Sequence, residues 1–101
     1  MPMDTNTQLS QKEIVKIDKP KKYKVLMHND DFTSMEFVVE VLMSIFRKDE
    51  LSAILLMQAI HLEGVAICGV YPKEIAETKV IQTKELAKAN KYPLKCTMEE
   101  E

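Results

Sequence analysis

The side chains best suited to chemistry in this chain of 101 residues are a run of three polar residues and two histidines. Asn29, Asp30 and Asp31 are consecutive, His28 precedes them, and His61 lies further along the chain. Amide, carboxylate and neutral imidazole groups all accept hydrogen bonds, so these residues suit a cationic ligand such as an ammonium group. The same groups also suit a divalent metal ion. By itself, however, an Asn-Asp-Asp run is typical of a plain turn.

Apolar residues at helical spacing offer walls for such a site. Met35 and Val38 begin one amphipathic segment, and Met57 stands one helical turn before His61 on another. Methionine side chains are flexible, so walls made of them adapt to both aliphatic and aromatic ligand side chains. Taken alone, these residues and Leu94 are more typical of a hydrophobic core than of a binding pocket.

The polar run is predicted to lie in a loop between a strand and a helix. Residues 23–27 alternate loosely and indicate a strand. Thr33 followed by Glu36 fits a capping box, which predicts a helix with Thr33 as its N-cap. The helix continues through apolar residues at helical spacing, which are Met35, Val38, Val39, Leu42 and Phe46.

A second helix is predicted from Asp49 to Glu63, with Asp49 as its N-cap and Gly64 at its end. Two sets of apolar positions lie on different faces of this helix, so we expect both faces to be covered. One set is Ile54, Met57 and His61, and the other is Leu51, Leu55 and Leu62.

The remaining chain indicates a strand, a helix and a strand. Residues 65–71 form an apolar run of strand length, and Pro72 stands where a helix would begin. That helix reaches about Asn90, and residues 93–98 alternate as a last strand. Its apolar face is expected to be Ile75, Ala76, Val80, Thr83 and Ala87.

These elements predict a two-layer α/β (α+β) domain over residues 22–101, in which a three-stranded sheet packs against three helices. The order along the chain is β-α-α-β-α-β, and residues 1–21 are interpreted as a flexible polar N-terminal tail. The order and direction of the strands within the sheet do not follow from the sequence.

Composition excludes several functional classes. The formal net charge of −2 provides no basic excess for binding nucleic acid. No apolar run approaches the length of a membrane span, and the N-terminus lacks the apolar core of a secretory signal. Cys68 and Cys96 do not form a CxxC pair and are interpreted as reduced thiols, which indicates a cytoplasmic protein.

A set of motifs in a fixed order resembles one family. Asn29-Asp30-Asp31-Phe32-Thr33 is followed by Met35-Glu36-Phe37-Val38-Val39, and then by His61. Further matches are Cys68-Gly69-Val70-Tyr71, Glu77-Thr78-Lys79 and Pro93-Leu94-Lys95-Cys96. In that order and at those spacings, residues 22–99 resemble the ClpS family. Phe32 stands where the family often has Tyr, and the junction between the two helices at Arg47–Ser52 is peculiar to this chain.

The resemblance implies a non-catalytic adaptor without metal or cofactor. Such adaptors bind a free destabilising N-terminal residue (Leu, Phe, Tyr or Trp) and deliver the substrate to a Clp AAA+ unfoldase-protease. The residues that the resemblance assigns to N-terminal-residue binding are Asn29, Asp30, Asp31, Thr33, Met35, Val38, Met57, His61 and Leu94. It assigns docking on the N-terminal domain of the unfoldase to Glu74 and Lys79.

Two other classes remain as alternatives. A metal-dependent hydrolase would use Asp30, Asp31, His28 and His61, although no HExxH or paired HxH spacing supports it. A nucleophilic cysteine paired with histidine fits poorly, because Cys68 lies within an apolar strand. The other alternative is a general protein-interaction domain without a pocket.

Overall fold

The computed structural model describes residues 20–101, and the predicted order of elements is confirmed. The elements are β1 (Lys22–His28), α1 (Met35–Ser44), α2 (Glu50–Glu63), β2 (Val65–Pro72), α3 (Lys73–Ala89) and β3 (Lys95–Glu100). Residues 1–19 of the predicted tail lie outside the described residues. Among residues 20–101, no helix is long and apolar enough to cross a membrane.

The three strands form one antiparallel sheet in the order β2-β1-β3, so the first strand of the chain lies in the centre. Met27 on β1 is aligned with Ala66 on one side and with Cys96 on the other. The register shifts between Val25 and Leu26, where Cys68 is the extra residue on β2. A bulge of this kind bends the edge strand and increases its twist.

One face of the sheet carries the core. Val25 and Met27 are fully buried, whereas the intervening Leu26 and the flanking His28 are only partly buried. Because strand side chains alternate between faces, the helices cover the face that Val25 and Met27 share. The helices add further buried side chains to this core, which are Phe37, Val38, Val41, Leu42, Ala53, Ile60, Ala76, Val80 and Ala87.

Local capping signals determine the ends of α2, as predicted. The Asp49 carboxylate accepts a hydrogen bond from the Ser52 backbone N–H at 2.7 Å. Gly64 ends the helix in the left-handed region with φ of 89°, which a residue without Cβ adopts at little cost. The sequence therefore contains enough information to place this helix to within one residue.

The expectation that both apolar faces of α2 are covered is wrong. Leu51, Leu55 and Leu62 are 68%, 57% and 81% exposed, while the buried residues of the helix are Ala53 and Ile60. A two-layer sandwich covers only one side of each helix, and in residues 20–101 no third layer lies over α2. Ile75 was likewise expected in the core but is 47% exposed, because it lies in the first turn of α3 beside the strand end.

Candidate functional site

The turn between β1 and α1 is organised by the Asp30 carboxylate. Its Oδ1 accepts hydrogen bonds from the backbone N–H groups of Phe32 and Thr33 at 2.8 and 2.7 Å. Its Oδ2 accepts a third from the Thr33 hydroxyl at 2.7 Å. Partial burial raises the pKa of Asp30, but the hydrogen bonds from Thr33 and Phe32 together outweigh it and leave the pKa below its ordinary value. Asp30 is therefore an ionised carboxylate that holds the turn.

The predicted N-cap of α1 is wrong by one residue. Ser34 is the N-cap, and its Oγ accepts a hydrogen bond from the Phe37 backbone N–H at 3.1 Å. The Thr33 hydroxyl is directed instead to Asp30, and both this hydroxyl and the Thr33 backbone N–H donate to the Asp30 carboxylate. Consequently, Met35 is the first residue of the helix, and its side chain is 49% exposed.

A backbone contact brings this turn to the end of α2. The Asn29 N–H donates to the Gly64 carbonyl at 2.8 Å, and the Gly64 N–H donates to the Ile60 carbonyl at 2.9 Å. Asn29 therefore lies beside the last turn of α2, which also carries His61. Both Asn29 and His61 are exposed, so their polar groups are open to a ligand.

Two adjoining cavities lie between α1 and α2 and share Met35 and Met57. The first, of about 320 Å³, is lined by Met35, Met57, Gln58, His61 and Leu62. The second, of about 300 Å³, is lined by Met35, Glu36, Val39, Ile54 and Met57. We refer to the two together as the α1–α2 groove. Its walls are mainly apolar, and its polar groups lie at the rim, which is the usual composition of a small ligand site.

The structure brings together some of the predicted site residues and separates others. Met35, Met57 and His61 line the first cavity. Val38 and Leu94 are 7% and 6% exposed and belong to the core cluster, against which Met57 packs. Of the remaining predicted residues, Asn29, Asp30 and Thr33 form the turn described above, and Asp31 is an exposed residue of the same turn.

Five residues that line the groove were not predicted as site residues from the sequence, which are Gln58, Leu62, Glu36, Val39 and Ile54. A usable signal existed for Ile54, which precedes Met57 and His61 at spacings of three and seven residues on one helical face. The signal for Glu36 and Val39 is weaker, because the pairing of α1 with α2 depends on the tertiary fold.

The two predicted docking residues lie on α3 in different environments. Glu74 is an exposed residue of the first turn and lines a cavity with Pro20, Tyr23 and Ile75. Lys79 is partly buried, and its Nζ donates to the Ile45 carbonyl at 2.6 Å. The same Nζ lies 5.7 Å from the centroid of the Tyr71 ring. Lys79 thus also ties α3 to the end of α1.

Two of the side chains considered for a hydrolytic metal site, His28 and Asp30, have hydrogen-bond partners within the fold. His28 Nε2 lies 2.8 Å from the Thr97 Oγ1 of β3, and burial together with Lys95 lowers the pKa of this histidine. Within residues 20–101, no group of three or more His, Cys, Asp or Glu side chains is arranged to hold a metal ion. Cys68 and Cys96 are free and buried, and burial raises their pKa to about 12 and about 11. Thiols in this state are poor nucleophiles.

Comparisons with known proteins identify the family of this chain. Residues 18–97 match the family model described as "ATP-dependent Clp protease adaptor protein ClpS". The chain is 47% identical over 100 residues to the ATP-dependent Clp protease adapter protein ClpS of Clostridium acetobutylicum, covering 99% of each chain. It is 51% identical over 84 residues to the same adapter from Shewanella piezotolerans, covering 83% of this chain and 82% of the relative.

A solved structure also has the same fold. Agrobacterium tumefaciens ClpS2 bound to L-phenylalaninamide superimposes with a TM-score of 0.80 at 41% identity. The match covers 82% of this chain and 100% of the other. The chain therefore belongs to the ClpS family, whose members are adaptor proteins of the ATP-dependent Clp protease and not catalysts.

Proposed function

We propose that this chain binds the free N-terminal Leu, Phe, Tyr or Trp of substrate proteins at the first cavity of the α1–α2 groove. It then delivers these substrates to the AAA+ unfoldase of the Clp protease. The observation that carries the proposal is an apolar cavity that is walled by Met35 and Met57 and also lined by the acceptor His61. Asn29 is held beside the same turn of α2 by its hydrogen bond to the Gly64 carbonyl. An N-terminal residue has the matching chemistry, since its ammonium group and its apolar side chain are attached to the same carbon atom.

The ammonium group has three donors that must be satisfied. The Asn29 side-chain carbonyl and a neutral His61 ring each provide one acceptor. Asp30 provides another, because a carboxylate has about four acceptor positions and the turn uses three of them. The remaining position is on Oδ2, directly or through a bridging water. Asp31 adds a second negative charge on the exposed side of the turn.

The apolar side chain of the substrate enters between the two methionines. Thr33, Val38 and Leu94 form the deeper part of the pocket in this proposal, and Met57 already packs against the core cluster that contains Val38 and Leu94. Methionine side chains are unbranched and rotate readily, so the walls adjust to both leucine and aromatic rings. The related ClpS2 was solved with L-phenylalaninamide, which has a free amine and an aromatic side chain.

The interaction energies suit a ligand that must later be released. Burying a leucine-sized side chain contributes about 1.5–3 kcal/mol. Each hydrogen bond to a charged group adds roughly 1.5–3 kcal/mol. Association and ordering then cost several kcal/mol. A dissociation constant on the order of 1 µM is consistent with this sum.

Delivery requires a second surface, and we assign it to α3. Glu74 is exposed in the first turn, and Lys79 lies further along the same helix. In this proposal both residues dock the N-terminal domain of the unfoldase, and residues 1–18 engage the unfoldase during delivery. The Clp partner implies a cytoplasmic location for the chain.

The proposal is tested by calorimetric titration with a short peptide that begins with Phe and with its N-acetylated twin. We expect micromolar binding of the free peptide and no measurable binding of the acetylated one, because acetylation removes the charge and two of the three donors. His61→Ala should weaken binding by about 1–3 kcal/mol through loss of one acceptor. The matched control is His28→Ala, which removes the only other histidine and should leave the affinity unchanged. Equal affinity for both peptides would refute the proposal.

A further inference from the structure

The α1–α2 groove continues beyond the cavity that the proposed function uses. On the far side of Met35 and Met57 lies the second cavity, walled by Val39 and Ile54 with Glu36 among its lining residues. Glu36 is exposed and Val39 and Ile54 are partly buried, so the cavity has an apolar floor and a carboxylate at its edge. A substrate that is an extended protein chain must pass over some neighbouring surface, and this one is continuous with the first cavity.

The spacing of side chains along α2 decides which substrate residue reaches this cavity. Residues along an α-helix rise 1.5 Å each, so Met57 lies about 6 Å and Ile54 about 10 Å along the axis from His61. An extended peptide advances roughly 3.3–3.6 Å per residue. If the first residue lies beside His61, the third lies about 7 Å further, between Met57 and Ile54.

The orientation of side chains in an extended peptide agrees with this spacing. Successive side chains point to opposite sides, so residues one and three face the groove while residue two faces solvent. A preference at the third position, without one at the second, is therefore the signature of a peptide that follows the α1–α2 groove.

We propose that the second cavity is a subsite for the side chain of the third residue of the substrate. The inference rests on the proposed function, because the first residue must be anchored beside His61. Val39 and Ile54 favour a side chain with an apolar stem, and Glu36 favours a cationic end over an anionic one. Leucine and arginine should therefore bind best at this position, alanine less well, and glutamate worst.

The test uses peptides of the form Phe-Ala-X-Ala-Ala with X as Leu, Arg, Ala or Glu, titrated into the full chain. We expect leucine and arginine to bind about fivefold more tightly than alanine, since roughly half of a leucine side chain is removed from water. Glutamate should bind more weakly than alanine, and the difference should shrink as salt is added. Moving the leucine to position two should remove the gain.

Two variants and one control locate the effect. Ile54→Ala should reduce the preference for leucine over alanine to less than twofold. Glu36→Gln should weaken binding of the arginine peptide relative to the leucine peptide and relieve the penalty for glutamate. The control is Leu55→Ala, the next residue on α2, which is 57% exposed and outside both cavities. It should leave all preferences unchanged.

L-phenylalaninamide separates this inference from the proposed function, because it has no third residue. Every folded variant should bind it with wild-type affinity. If it binds but X has no effect, or if Leu55→Ala acts like Ile54→Ala, the subsite is overturned while the proposed function stands. If wild-type protein does not bind it, the proposed function fails and the subsite fails with it.

Discussion

The methionines of the core and of the α1–α2 groove have the same side chain in opposite environments. Met27 lies in the middle of the central strand and is fully buried. Met35 begins α1 and is 49% exposed, and Met57 on α2 is partly buried between the groove and the core. In the core the thioether is packed among close neighbours, whereas at the groove part of the side chain is exposed to solvent. Spacing alone cannot distinguish these two roles, because both kinds of methionine lie in apolar patterns.

This comparison predicts that substitutions separate into two classes. Changes in the core should reduce the free energy of unfolding without altering the ligand preference of the protein that remains folded. Changes at the groove should alter ligand preference at little cost in stability. The turn at Asp30 lies between the classes, because it supports the groove through hydrogen bonds.

The largest expected effect is that of Leu42→Ala. Leu42 is fully buried on α1, and truncating a buried leucine costs about 2–5 kcal/mol through lost burial and the cavity left behind. Chemical denaturation measures this loss. Peptide affinity, corrected for the folded fraction, should be unchanged. If Leu42→Ala changes peptide preference strongly with little loss of stability, the core and the groove do not have separate roles.

Asp30→Asn should have an intermediate effect on both stability and binding. The carboxylate accepts three hydrogen bonds, and a neutral amide replaces it with one acceptor and one donor group, so we expect a loss of about 1–3 kcal/mol. Peptide binding should also weaken, because the turn positions Asn29 and Met35 and because Asp30 is itself a proposed acceptor for the ammonium group of the ligand.

The pH dependence gives a second readout of Asp30. Its pKa in the folded protein lies below its ordinary value of 3.8, so the unfolded chain binds its proton more readily. This contribution to stability is present above about pH 4 and is lost as the pH falls through the lower pKa of the folded state. When denaturation is measured from pH 6 to pH 2, the free energy of unfolding should fall less with pH in Asp30→Asn than in wild type. If wild type and Asp30→Asn lose stability equally as the pH falls, the ionised Asp30 carboxylate does not stabilise the turn.

Met35→Ala should have the smallest effect on stability and a specific effect on selectivity. Its side chain is half exposed, so we expect the free energy of unfolding to change by less than about 1 kcal/mol. Removing this wall should admit N-terminal Ile or Val, whose branched Cβ crowds Met35 in the wild type. Titration with peptides beginning in Leu, Val and Ile measures the ranking. An unchanged ranking, or wild-type protein that already binds Val as well as Leu, would refute this role.

Local signals were sufficient where a single segment determines the outcome. Asp49 and Gly64 define the ends of α2 through contacts within a few residues, and both were predicted. Thr33 and Ser34 are adjacent hydroxyl residues that are equally suited to cap a helix. In the structure the Thr33 hydroxyl donates to the Asp30 carboxylate, whereas the Ser34 Oγ accepts from the Phe37 N–H.

Features that depend on distant parts of the chain were not predictable. The central position of β1 follows from pairings with β2 and β3, and the sequence contains no signal for that order. The bond from Lys79 to the Ile45 carbonyl joins residues 34 positions apart. The leucine pattern of α2 indicated coverage on two faces, but whether another layer lies above a helix depends on the whole fold. Asn29, Met35, Met57 and His61 were predicted through family resemblance; Met35, Met57 and His61 line the first cavity, and Asn29 is bonded to Gly64 at the end of α2.

The most direct test of the account is a methyl NMR titration of the methionines with L-phenylalaninamide. The chain contains seven methionines, and selective ¹³C labelling of their methyl groups reports on core and groove in one spectrum. We expect large, saturable chemical-shift changes for the methyl groups of Met35 and Met57, and almost none for that of Met27. Assignment follows from Met35→Ala and from Met27→Leu and Met57→Leu variants. If the methyl signals of Met35 and Met57 do not change while those of other methionines do, the α1–α2 groove is not the site that captures the N-terminal residue.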